Sequence, residues 1–555
     1  MAKAKKFDNG MEWEITPRTK SSTWIYDGDG TKSTFKLAAS LSEKDLETYD
    51  AIARNLTTRK GYDLVITTVF TNKKKMTTKM VTTTIKNFYT TLAVSESRLD
   101  IGNIANFNYT VEGKNGLFAE IEDTAEKDYI LGSKAKKADL VLSKGGKDVV
   151  VDLKGNDNYT VEENGNMIVT EYQGKETYNF LNNLSSDVTD YKGNDKYSFK
   201  DSKLTTGDLY TINDYAGKDS YTIENSRGVY IDDYKGNDKY VAKDINTTTG
   251  TFVGANFLIT DYAGNDKYEL SNVKHYSDTM MTNNVILDAK GKDKYTITDS
   301  VNVYIEDDAG ADKYYLTRTS SETNLKGIKI VDKQGKDTYN VSTSDDGFTT
   351  GSISITDKGN EKDKYNITNA FSFTIKDEGT SSKDTYNIKN CVDGGITDDG
   401  GNDTYTFTGS NNYVSINDKG GKDTLNLKGI NKDNIVYMTD VMKEGNFSED
   451  YELIIYDTES KNFVEIYNFF SGSAAEGYTG LGDGRIETLK YSGKTDKQTD
   501  FEAMPAYFTD YMQGEVGRWL KNETSRADVV DVLLNGTDAE KGKLVEFFTT
   551  GNTVG

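Results

Sequence analysis

The sequence predicts an all-β fold dominated by a right-handed parallel β-roll or β-helix. A unit of the form Ile-x-Asp-x-x-Gly-x-Asp-x-Tyr-x-Ile recurs along half of the chain, for example as ITDYAGNDKYEL (259–270) and INDKGGKDTLNL (416–427). The second Asp of one unit is most often 19 residues from that of the next, as from Asp293 to Asp312. Only 2 prolines interrupt the 555 residues, which favours long runs of paired backbone.

Each unit is predicted to form a strand, a turn and a second strand. The apolar residue two positions before the first Asp ends one strand, as Ile286 does, and Tyr-x-Ile at a period of two begins the next, as in Tyr295 and Ile297. Longer units are extended only between motifs, so the motif itself is a turn of fixed length. Such coils stack as parallel strands about 4.8 Å apart, and together they bury apolar rows that one coil cannot bury alone.

Composition restricts the partners. The formal net charge of −22 argues against nucleic acid, whose phosphates attract basic surfaces. It suits a protein that gathers cations. No segment approaches the roughly 20 apolar residues that a membrane helix needs, and no apolar stretch of a signal peptide follows MAKAKKFDNG. The single cysteine, Cys391, excludes an intramolecular disulfide.

Four regions are predicted. Residues 1–100 form a small mixed α+β domain for assembly or anchoring, with a helix over 41–56 and Thr-rich strands around a basic turn at 73–75. Residues 101–427 form the roll, beginning with degenerate coils before residue 150. Residues 428–499 form a β cap, since the last coil would otherwise present an unpaired edge. Residues 500–555 are predicted to be helical.

Stacking brings the aspartates of successive turns into columns about 4.8 Å apart. At an effective dielectric near 20, each pair of neighbouring like charges costs roughly 3 to 4 kcal/mol. A cation is therefore expected in the columns. Calcium is favoured because it binds six to eight carboxylate and carbonyl oxygens. The alternative is neutralisation by the lysines beside the second Asp, such as Lys218 and Lys294.

The predicted metal ligands are the two acidic positions of each regular unit, with turn carbonyls completing each shell. They are Asp152, Asp157, Asp190, Asp195, Asp214, Asp219, Asp233, Asp238, Asp261, Asp266, Asp288, Asp293, Asp307, Asp312, Asp332, Asp337, Asp398, Asp403, Asp418 and Asp423.

The unit resembles the calcium-binding nonapeptide G-G-x-G-x-D-x-U-x of the RTX (repeat-in-toxin, haemolysin-type) family. GGNDTYTF (400–407) and GGKDTLNL (420–427) match best, while in DYKGNDKYS Asp190 and Tyr191 replace two glycines. In that family both sides of the roll carry nonapeptides. Only one side carries them here, so a single column of calcium sites is expected. The turns at 357–363 and 377–384 carry extra residues, and weak or missing sites are expected there.

The resemblance implies several bound Ca²⁺ ions and an extracellular location reached by type I secretion. In that family an uncleaved C-terminal segment carries the secretion signal, and residues 500–555 fit that description. The alternative for this tail is an ordinary helical cap. The resemblance also implies strands that close the open end of the roll after the last repeat.

Catalysis is not expected. His275 is the only histidine, so an HExxH zinc site is impossible, and an exposed loop position is predicted for it. Cys391 is predicted to be a strand or loop thiol rather than a nucleophile. The remaining carboxylates that occur at regular intervals are already assigned to the turns.

The expected function is that of a secreted calcium-binding structural protein at the bacterial cell surface, of the surface-layer (S-layer) or extracellular matrix type. It would fold and assemble with copies of itself on binding extracellular calcium. The alternative is a secreted RTX-type adhesin, effector or toxin whose residues 1–100 bind a cell-surface target such as a glycan. Assembly on adding calcium favours the first function, and a discrete receptor or glycan favours the second.

Overall fold

The computed structural model describes residues 5–6, 11–25, 35–39, 43–49, 54–60, 63–73, 75, 77–86, 99–101, 104–106, 109–110, 129–131, 139–144, 148–152, 155–163, 165–183, 185–202, 209–247, 256–275, 284–319, 326–343, 352–431, 434–438, 452–457, 459–473, 477–482, 484, 486–491 and 494–497. The helices predicted over 500–555 lie outside these residues.

The chain divides into two compact units. The first comprises residues 1–245 and 250–263, and the second comprises residues 246–249 and 264–555. Parallel strands stack in both units, and the stacked coils form a β-solenoid of about 12 turns in the chain. The all-β class and the parallel β-roll architecture predicted from the repeat are confirmed.

The described residues of the N-terminal region of the first unit form strands of 2 to 10 residues and one helical turn. They are β1 (Lys5–Lys6), β2 (Met11–Ile15), β3 (Ser22–Ile25), β4 (Phe35–Ala39), α1 (Glu43–Leu46), β5 (Arg54–Lys60), β6 (Asp63–Asn72), β7 (Thr77–Lys86), β8 (Leu99–Ile101), β9 (Ile104–Asn106) and β10 (Tyr109–Thr110). Strands β1, β3, β7, β6, β5 and β9 form one sheet in that order, and β2, β4 and β8 form another.

This region confirms one local prediction and corrects another. Strands β6 and β7 pair antiparallel on either side of the basic turn, as the Thr-rich pattern predicts. Of the helix predicted over 41–56, the described residues confirm only α1, and the prediction is wrong for 54–56, which lie in β5. Asn55 and Leu56 lie in β5 and pair with Thr68 and Thr67 of β6. Pairing along the whole of β5 outweighs the weak helix propensity of the segment.

Two strands alternate along each coil of the roll. The strands are β11 (Tyr129–Leu131), β12 (Asp139–Leu142), β13 (Asp148–Asp152), β14 (Asn158–Glu162), β15 (Asn166–Glu171), β16 (Thr177–Leu181), β17 (Ser185–Asp190), β18 (Lys196–Lys200), β19 (Tyr210–Asp214), β20 (Ser220–Glu224), β21 (Val229–Asp233), β22 (Lys239–Lys243), β23 (Asn246–Thr247), β24 (Phe257–Asp261), β25 (Lys267–Ser271), β26 (Lys274–His275), β27 (Asn284–Asp288), β28 (Lys294–Thr298), β29 (Val301–Asp307), β30 (Lys313–Thr317), β31 (Lys326–Asp332), β32 (Thr338–Ser342), β33 (Ile353–Asp357), β34 (Lys364–Thr368), β35 (Phe371–Asp377), β36 (Thr385–Lys389), β37 (Val392–Asp398), β38 (Thr404–Thr408), β39 (Tyr413–Asp418) and β40 (Thr424–Leu427).

Strands that end at the first acidic residue of a unit form one parallel sheet, which we call the acid sheet. In the first unit these are β13, β15, β17, β19, β21 and β24, and β11 pairs with β13 at the N-terminal side of the sheet. Strands that follow the second acidic residue form the other parallel sheet, the tyrosine sheet, with β14, β16, β18, β20 and β22, and β12 pairs with β14 at the N-terminal side of this sheet. Equivalent residues pair in register, as Ile212 does with Ile231 and Tyr197 with Tyr221.

The second unit repeats this arrangement. Its acid sheet contains β27, β29, β31, β33, β35, β37 and β39, and its tyrosine sheet contains β25, β28, β30, β32, β34, β36, β38 and β40. The short strands β23 and β26 pair in parallel as well. In both units the first and second acidic residues lie at the turn that leads from the acid sheet to the tyrosine sheet.

The interior is formed by columns of equivalent residues from successive coils. Because side chains alternate across a strand, the Tyr and Ile at a period of two face inward. Neighbouring inward tyrosine rings stack at centroid distances of 4.9 Å for Tyr221 and Tyr240 and 4.8 Å for Tyr314 and Tyr339. Ile305 is fully buried. Each coil therefore buries its apolar residues only against its neighbours, as the repeat predicts.

A second tyrosine column lies outside the turn in the first unit, at the residue after the first acid. Its members Tyr172, Tyr191, Tyr215, Tyr234 and Tyr262 stack at 4.7 to 5.1 Å. Val69 of β6 packs in one cluster with Tyr172 and Tyr191, and Met80 of β7 and Tyr215 pack against that cluster. The N-terminal sheet thus covers the first rungs of this column, while Tyr262 is 44% exposed.

The region after the repeats forms β41 (Ile435–Met438), β42 (Leu453–Asp457), β43 (Phe463–Ile466), β44 (Phe470–Ser473), β45 (Gly477–Leu481), β46 (Thr488–Tyr491) and β47 (Lys494–Lys497). The strands predicted for this cap are confirmed. Strand β43 adds in parallel to β39 of the acid sheet, and β46 adds in parallel to β40 of the tyrosine sheet. Both sheets are thereby continued beyond the last repeat. No helix within the described ranges has the length and apolar character needed to cross a bilayer.

Candidate metal centre

The first acid of each unit ends a strand of the acid sheet. It lies two residues after a buried apolar residue, as Asp214 follows Ile212, so its side chain points to the same inner side. These acids are at most 2% exposed. They are Asp152, Glu171, Asp190, Asp214, Asp233, Asp261, Asp288, Asp307, Asp332, Asp357, Asp377, Asp398 and Asp418.

The inward tyrosines reach these acids through their hydroxyl groups. The Tyr314 hydroxyl donates to Oδ2 of Asp332 at 2.8 Å. The hydroxyl of Tyr221 lies 2.9 Å from Oδ2 of Asp233 and 3.2 Å from Oδ2 of Asp214, between the acids of two successive coils. One oxygen of each first acid is thus held by the interior of the roll, which fixes the orientation of its carboxylate.

The second acid of each unit precedes a strand of the tyrosine sheet and is also at most 2% exposed. One of its oxygens accepts a hydrogen bond from the backbone N–H of the equivalent acid one coil earlier. The N–H of Asp219 donates to Oδ1 of Asp238 at 2.6 Å, and that of Asp293 donates to Oδ1 of Asp312 at 2.6 Å. The members are Asp157, Glu176, Asp195, Asp219, Asp238, Asp266, Asp293, Asp312, Asp337, Asp363, Asp384, Asp403 and Asp423.

The other oxygen of most second acids is buried without a hydrogen-bond partner. This holds for Oδ2 of Asp195, Asp219, Asp293, Asp312, Asp337, Asp363, Asp403 and Asp423. Oδ1 of Asp214, Asp307 and Asp332 in the first column shares this property. A buried charged oxygen without a partner costs several kcal/mol, so a proton or a cation has to compensate these atoms.

The glycine of the motif makes room for the second carboxylate. A Cβ atom on Gly193 would collide with both carboxylate oxygens of Asp195. A Cβ atom on Gly217 would collide in the same way with Asp219. The glycine is therefore required by the close approach of the carboxylate to the turn backbone, and not only by turn conformation.

Burial and neighbouring charges raise the pKa values of these carboxyls. Burial is the largest cause for Asp332, and the charges of Asp337 and Asp307 add to it, which raises its pKa to about 10. Burial likewise raises the pKa of Asp337 to about 9 and that of Asp219 to about 7. The ionised form of these acids is therefore unfavourable unless a positive charge enters the turn.

Carboxylates of the two columns converge in groups of three. One ligand atom from each of Asp195, Asp214 and Asp219 lies within 4.8 Å of the others, and Asp219 forms the next such group with Asp233 and Asp238. Asp195, Asp219 and Asp238 thus each contribute to two successive groups. The donor set consists only of oxygen, which is preferred by hard cations such as calcium, and its uncompensated buried oxygens fit such an ion.

The lysines of the motif lie outside these groups. Lys218, which precedes Asp219, and Lys196, which follows Asp195, are exposed, whereas the acids are buried. The alternation of side chains across the chain places them on the outer side. Ion pairs occur on that surface, for example between Lys333 and Asp308 at 2.6 Å. The exposed position of these lysines favours a bound cation over lysine as the balancing charge.

All twenty predicted ligands lie in the two carboxylate columns. The columns contain further members that were not predicted, namely Glu171 and Glu176, which lie in a turn of the same length with Glu in place of Asp. The acids of the irregular turns are also buried in the two columns; they are Asp357, Asp363, Asp377 and Asp384. Among these four, Asp384 differs because the hydroxyl of Ser382 donates to its Oδ2.

The two residues considered for catalysis are both buried. The exposed position predicted for His275 is wrong, because it is 4% exposed and lies in β26. A short strand pairing in the variable stretch places it inside. Cys391 is fully buried, its thiol donates to the backbone oxygen of Lys389 at 3.2 Å, and burial raises its pKa to about 11. A thiol with these properties is a poor nucleophile at neutral pH.

The fold and the carboxylate columns define a β-solenoid whose turns are lined internally by acids. The chain matches no protein-family model, no curated protein and no solved structure. Its resemblance to RTX repeats rests on the motif residues alone.

Proposed function

We propose that the protein is a calcium-binding structural protein that is secreted to the bacterial cell surface, folds there on binding calcium and assembles with copies of itself. One observation carries the calcium part of this proposal. Second acids such as Asp195 and Asp219 bury a carboxylate oxygen that has no hydrogen-bond partner, and these acids lie in groups of three carboxylates within 4.8 Å.

Calcium suits these groups better than other common cations. Its six to eight ligands at 2.3–2.6 Å tolerate irregular geometry and include carboxylates and carbonyls. Zinc and copper favour His and Cys ligands, and the groups are composed of Asp and Glu. Magnesium requires nearly octahedral geometry and retains water, which a buried site of crowded carboxylates does not favour.

Calcium binding of this kind couples to folding. Without cations, adjacent carboxylates in the columns repel each other by roughly 3 to 4 kcal/mol per pair at an effective dielectric near 20. The sum over a dozen coils exceeds the stability of an ordinary domain. The free energy of calcium binding becomes folding free energy when the sites exist only in the folded chain. The roll therefore folds in millimolar extracellular calcium and stays expanded at cytosolic calcium.

The test compares the full chain with and without calcium. At neutral pH, circular dichroism in a chelator is expected to show little β-sheet signal, and millimolar calcium restores it. Isothermal titration gives the number of bound ions. The variant Asp214→Asn/Asp219→Asn should lose one or two of them, whereas Asp232→Asn, on the outer side of the neighbouring strand, should lose none. A full β-sheet signal in chelator, or unchanged stoichiometry in the double variant, contradicts the proposal.

Secretion and assembly need separate tests. Removing residues 500–555 should trap the protein in the producing cell while the roll still binds calcium. Normal export of this truncation argues against type I secretion. Light scattering of the full chain should show growing particles on adding calcium. A protein that stays monomeric in calcium and binds a glycan or a receptor would favour the adhesin or effector alternative.

A further inference from the structure

The segment before β46 continues the column of second acids with a residue outside the repeat. Strand β46 pairs with β40 in the register Thr424↔Thr488 and Leu425↔Leu489. Glu487 precedes Thr488 just as Asp423 precedes Thr424, so it occupies the next position of the column. A long insertion separates it from the last motif, and no aspartate motif surrounds it.

The contacts of Glu487 repeat those of a second acid. The N–H of Asp423 donates to Oε2 of Glu487 at 2.7 Å, as the N–H of Asp403 donates to Oδ1 of Asp423 at 2.7 Å. The N–H of Thr488 donates to the backbone oxygen of Asp423 at 3.0 Å, as that of Thr424 donates to Asp403 at 2.9 Å. Glu487 thus occupies the position of a second acid for the last coil.

An uncompensated carboxylate oxygen lies at this end of the roll. Asp423 is fully buried, and its Oδ2 has no hydrogen-bond partner. Burial is the main cause of the raised pKa of Asp418 and Asp423, and the negative charge of Glu487 adds to it for both. Three carboxylates therefore influence one another here, and their mutual repulsion favours a cation between them.

The turn before Glu487 lies directly against the last coil. A Cβ atom on Gly484 would collide with the backbone oxygen of Tyr467 and would lie 3.0 Å from that of Asp418. The N–H of Gly484 donates to the backbone oxygen of Asn468 at 3.1 Å. Backbone carbonyls that complete a calcium shell are thus close to this turn.

We propose that Glu487 binds a cation together with Asp418 and Asp423, and that this ion fastens β46 and β47 to the last coil. This inference rests on the proposed calcium binding by the roll. Most ligands in the roll come from neighbouring repeats, whereas this site joins two segments that are distant in sequence. Calcium at this site would therefore control whether the cap is docked.

The test uses the full chain in saturating calcium and the variant Glu487→Gln. The amide oxygen still accepts the N–H of Asp423, but the charge is lost. We expect one ion fewer per chain by isothermal titration. Backbone hydrogen exchange in β46 should be about tenfold faster or more, since the docked state loses the stabilisation by bound ligand. In chelator the two proteins should exchange alike.

Two further variants make the result specific. Glu487→Asp should keep the ion, because Asp fills this column elsewhere. Glu459→Gln is the matched control, since Glu459 is an exposed cap residue that accepts a hydrogen bond from Asn434 at 2.6 Å. It should keep both the stoichiometry and the exchange rates of the unmodified chain.

The outcomes separate the two proposals. If the unmodified chain binds no calcium, the proposed function is wrong. If it binds calcium and Glu487→Gln binds the same number of ions, only the cap site is wrong. Faster exchange of β46 in Glu487→Gln without loss of an ion also overturns the cap site, because the charge of Glu487 then stabilises the docked strand without a bound ion.

Discussion

The hydroxyl of Tyr386 donates a hydrogen bond of 2.7 Å to Oδ2 of Asp398, the first acid of the following coil. The other oxygen of Asp398 accepts the N–H of Gly400 at 2.9 Å. The interior tyrosine column therefore stabilises the acid column as well as the apolar core. In the folded roll this connection holds the carboxylate of the first acid in one orientation.

Replacing Tyr386 by Phe should test this connection. The ring still stacks on Tyr365 and Tyr405 at 4.8 Å, but the buried Oδ2 of Asp398 loses its donor. We expect the free energy of unfolding in calcium to fall by about 1–3 kcal/mol, measured by urea denaturation. Tyr234→Phe serves as control, because Tyr234 is 37% exposed and belongs to the outer column. Equal effects of the two substitutions would contradict this role of the hydroxyl.

The metal-free roll should lose stability as the pH rises. The folded pKa values of about 7 for Asp219, 9 for Asp337 and 10 for Asp332 exceed the value near 4 of an unfolded aspartate. The folded chain therefore binds more protons between these values. The contribution of these groups to the free energy of unfolding is complete below about pH 4. It decreases as the pH rises through the folded pKa values, by about 1.4 kcal/mol per pH unit for each such group.

Calcium should reverse this dependence. The ion binds ionised carboxylates, so its affinity rises with pH while protons compete at low pH. In metal-free buffer the β-sheet signal in circular dichroism should be strongest near pH 5 and should be lost as the pH rises to neutral and above, whereas thermal melts in millimolar calcium should give a Tm that increases from pH 5 to pH 8. A metal-free β-sheet signal that does not change with pH would show that the buried acids are not protonated.

The glycine of the motif should be intolerant of even a methyl group. Gly193→Ala would push the carboxylate of Asp195 out of its turn, and we expect at least one calcium ion fewer and a lower Tm in calcium. Gly395→Ala is the matched control, because a Cβ atom there has no neighbour within 4 Å. Titration and thermal melts of both variants check this. Retention of all ions in Gly193→Ala would mean that the turn can widen without losing its site.

The repeating part of the fold could be predicted from the sequence because its information is local and repeated. The motif residues have a fixed spacing, as in Ile231, Asp233, Asp238 and Tyr240. Because equivalent residues of successive coils stack, the alternation of inward and outward side chains in one unit is repeated along both sheets. The same spacing predicts which carboxylates converge. The burial of both acids could not be predicted, because Asp is ordinarily exposed and only the neighbouring coils enclose it.

Contacts distant in sequence were the ones that the pattern missed. The strand β5 depends on pairing with β6, so local helix propensity over 41–56 was misleading. Glu487 joins the acid column only because β46 returns to β40 after a long insertion. The packing of Val69 and Met80 on the outer tyrosines has no local sequence pattern either.

The hydrogen bonds of the second acids give the column a polarity. The N–H of Glu176 donates to Asp195, that of Asp195 to Asp219, and in the second unit that of Asp384 to Asp403, always toward the C-terminal neighbour. Removing a coil at the C-terminal end leaves an amide donor of the preceding coil without its acceptor. Removing a coil at the N-terminal end leaves a carboxylate oxygen of the following coil without its donor. The two ends of a stack therefore present different groups, an amide donor at the C-terminal end and a carboxylate acceptor at the N-terminal end. A segment that covers the C-terminal end has to supply an acceptor, and one that covers the N-terminal end has to supply a donor.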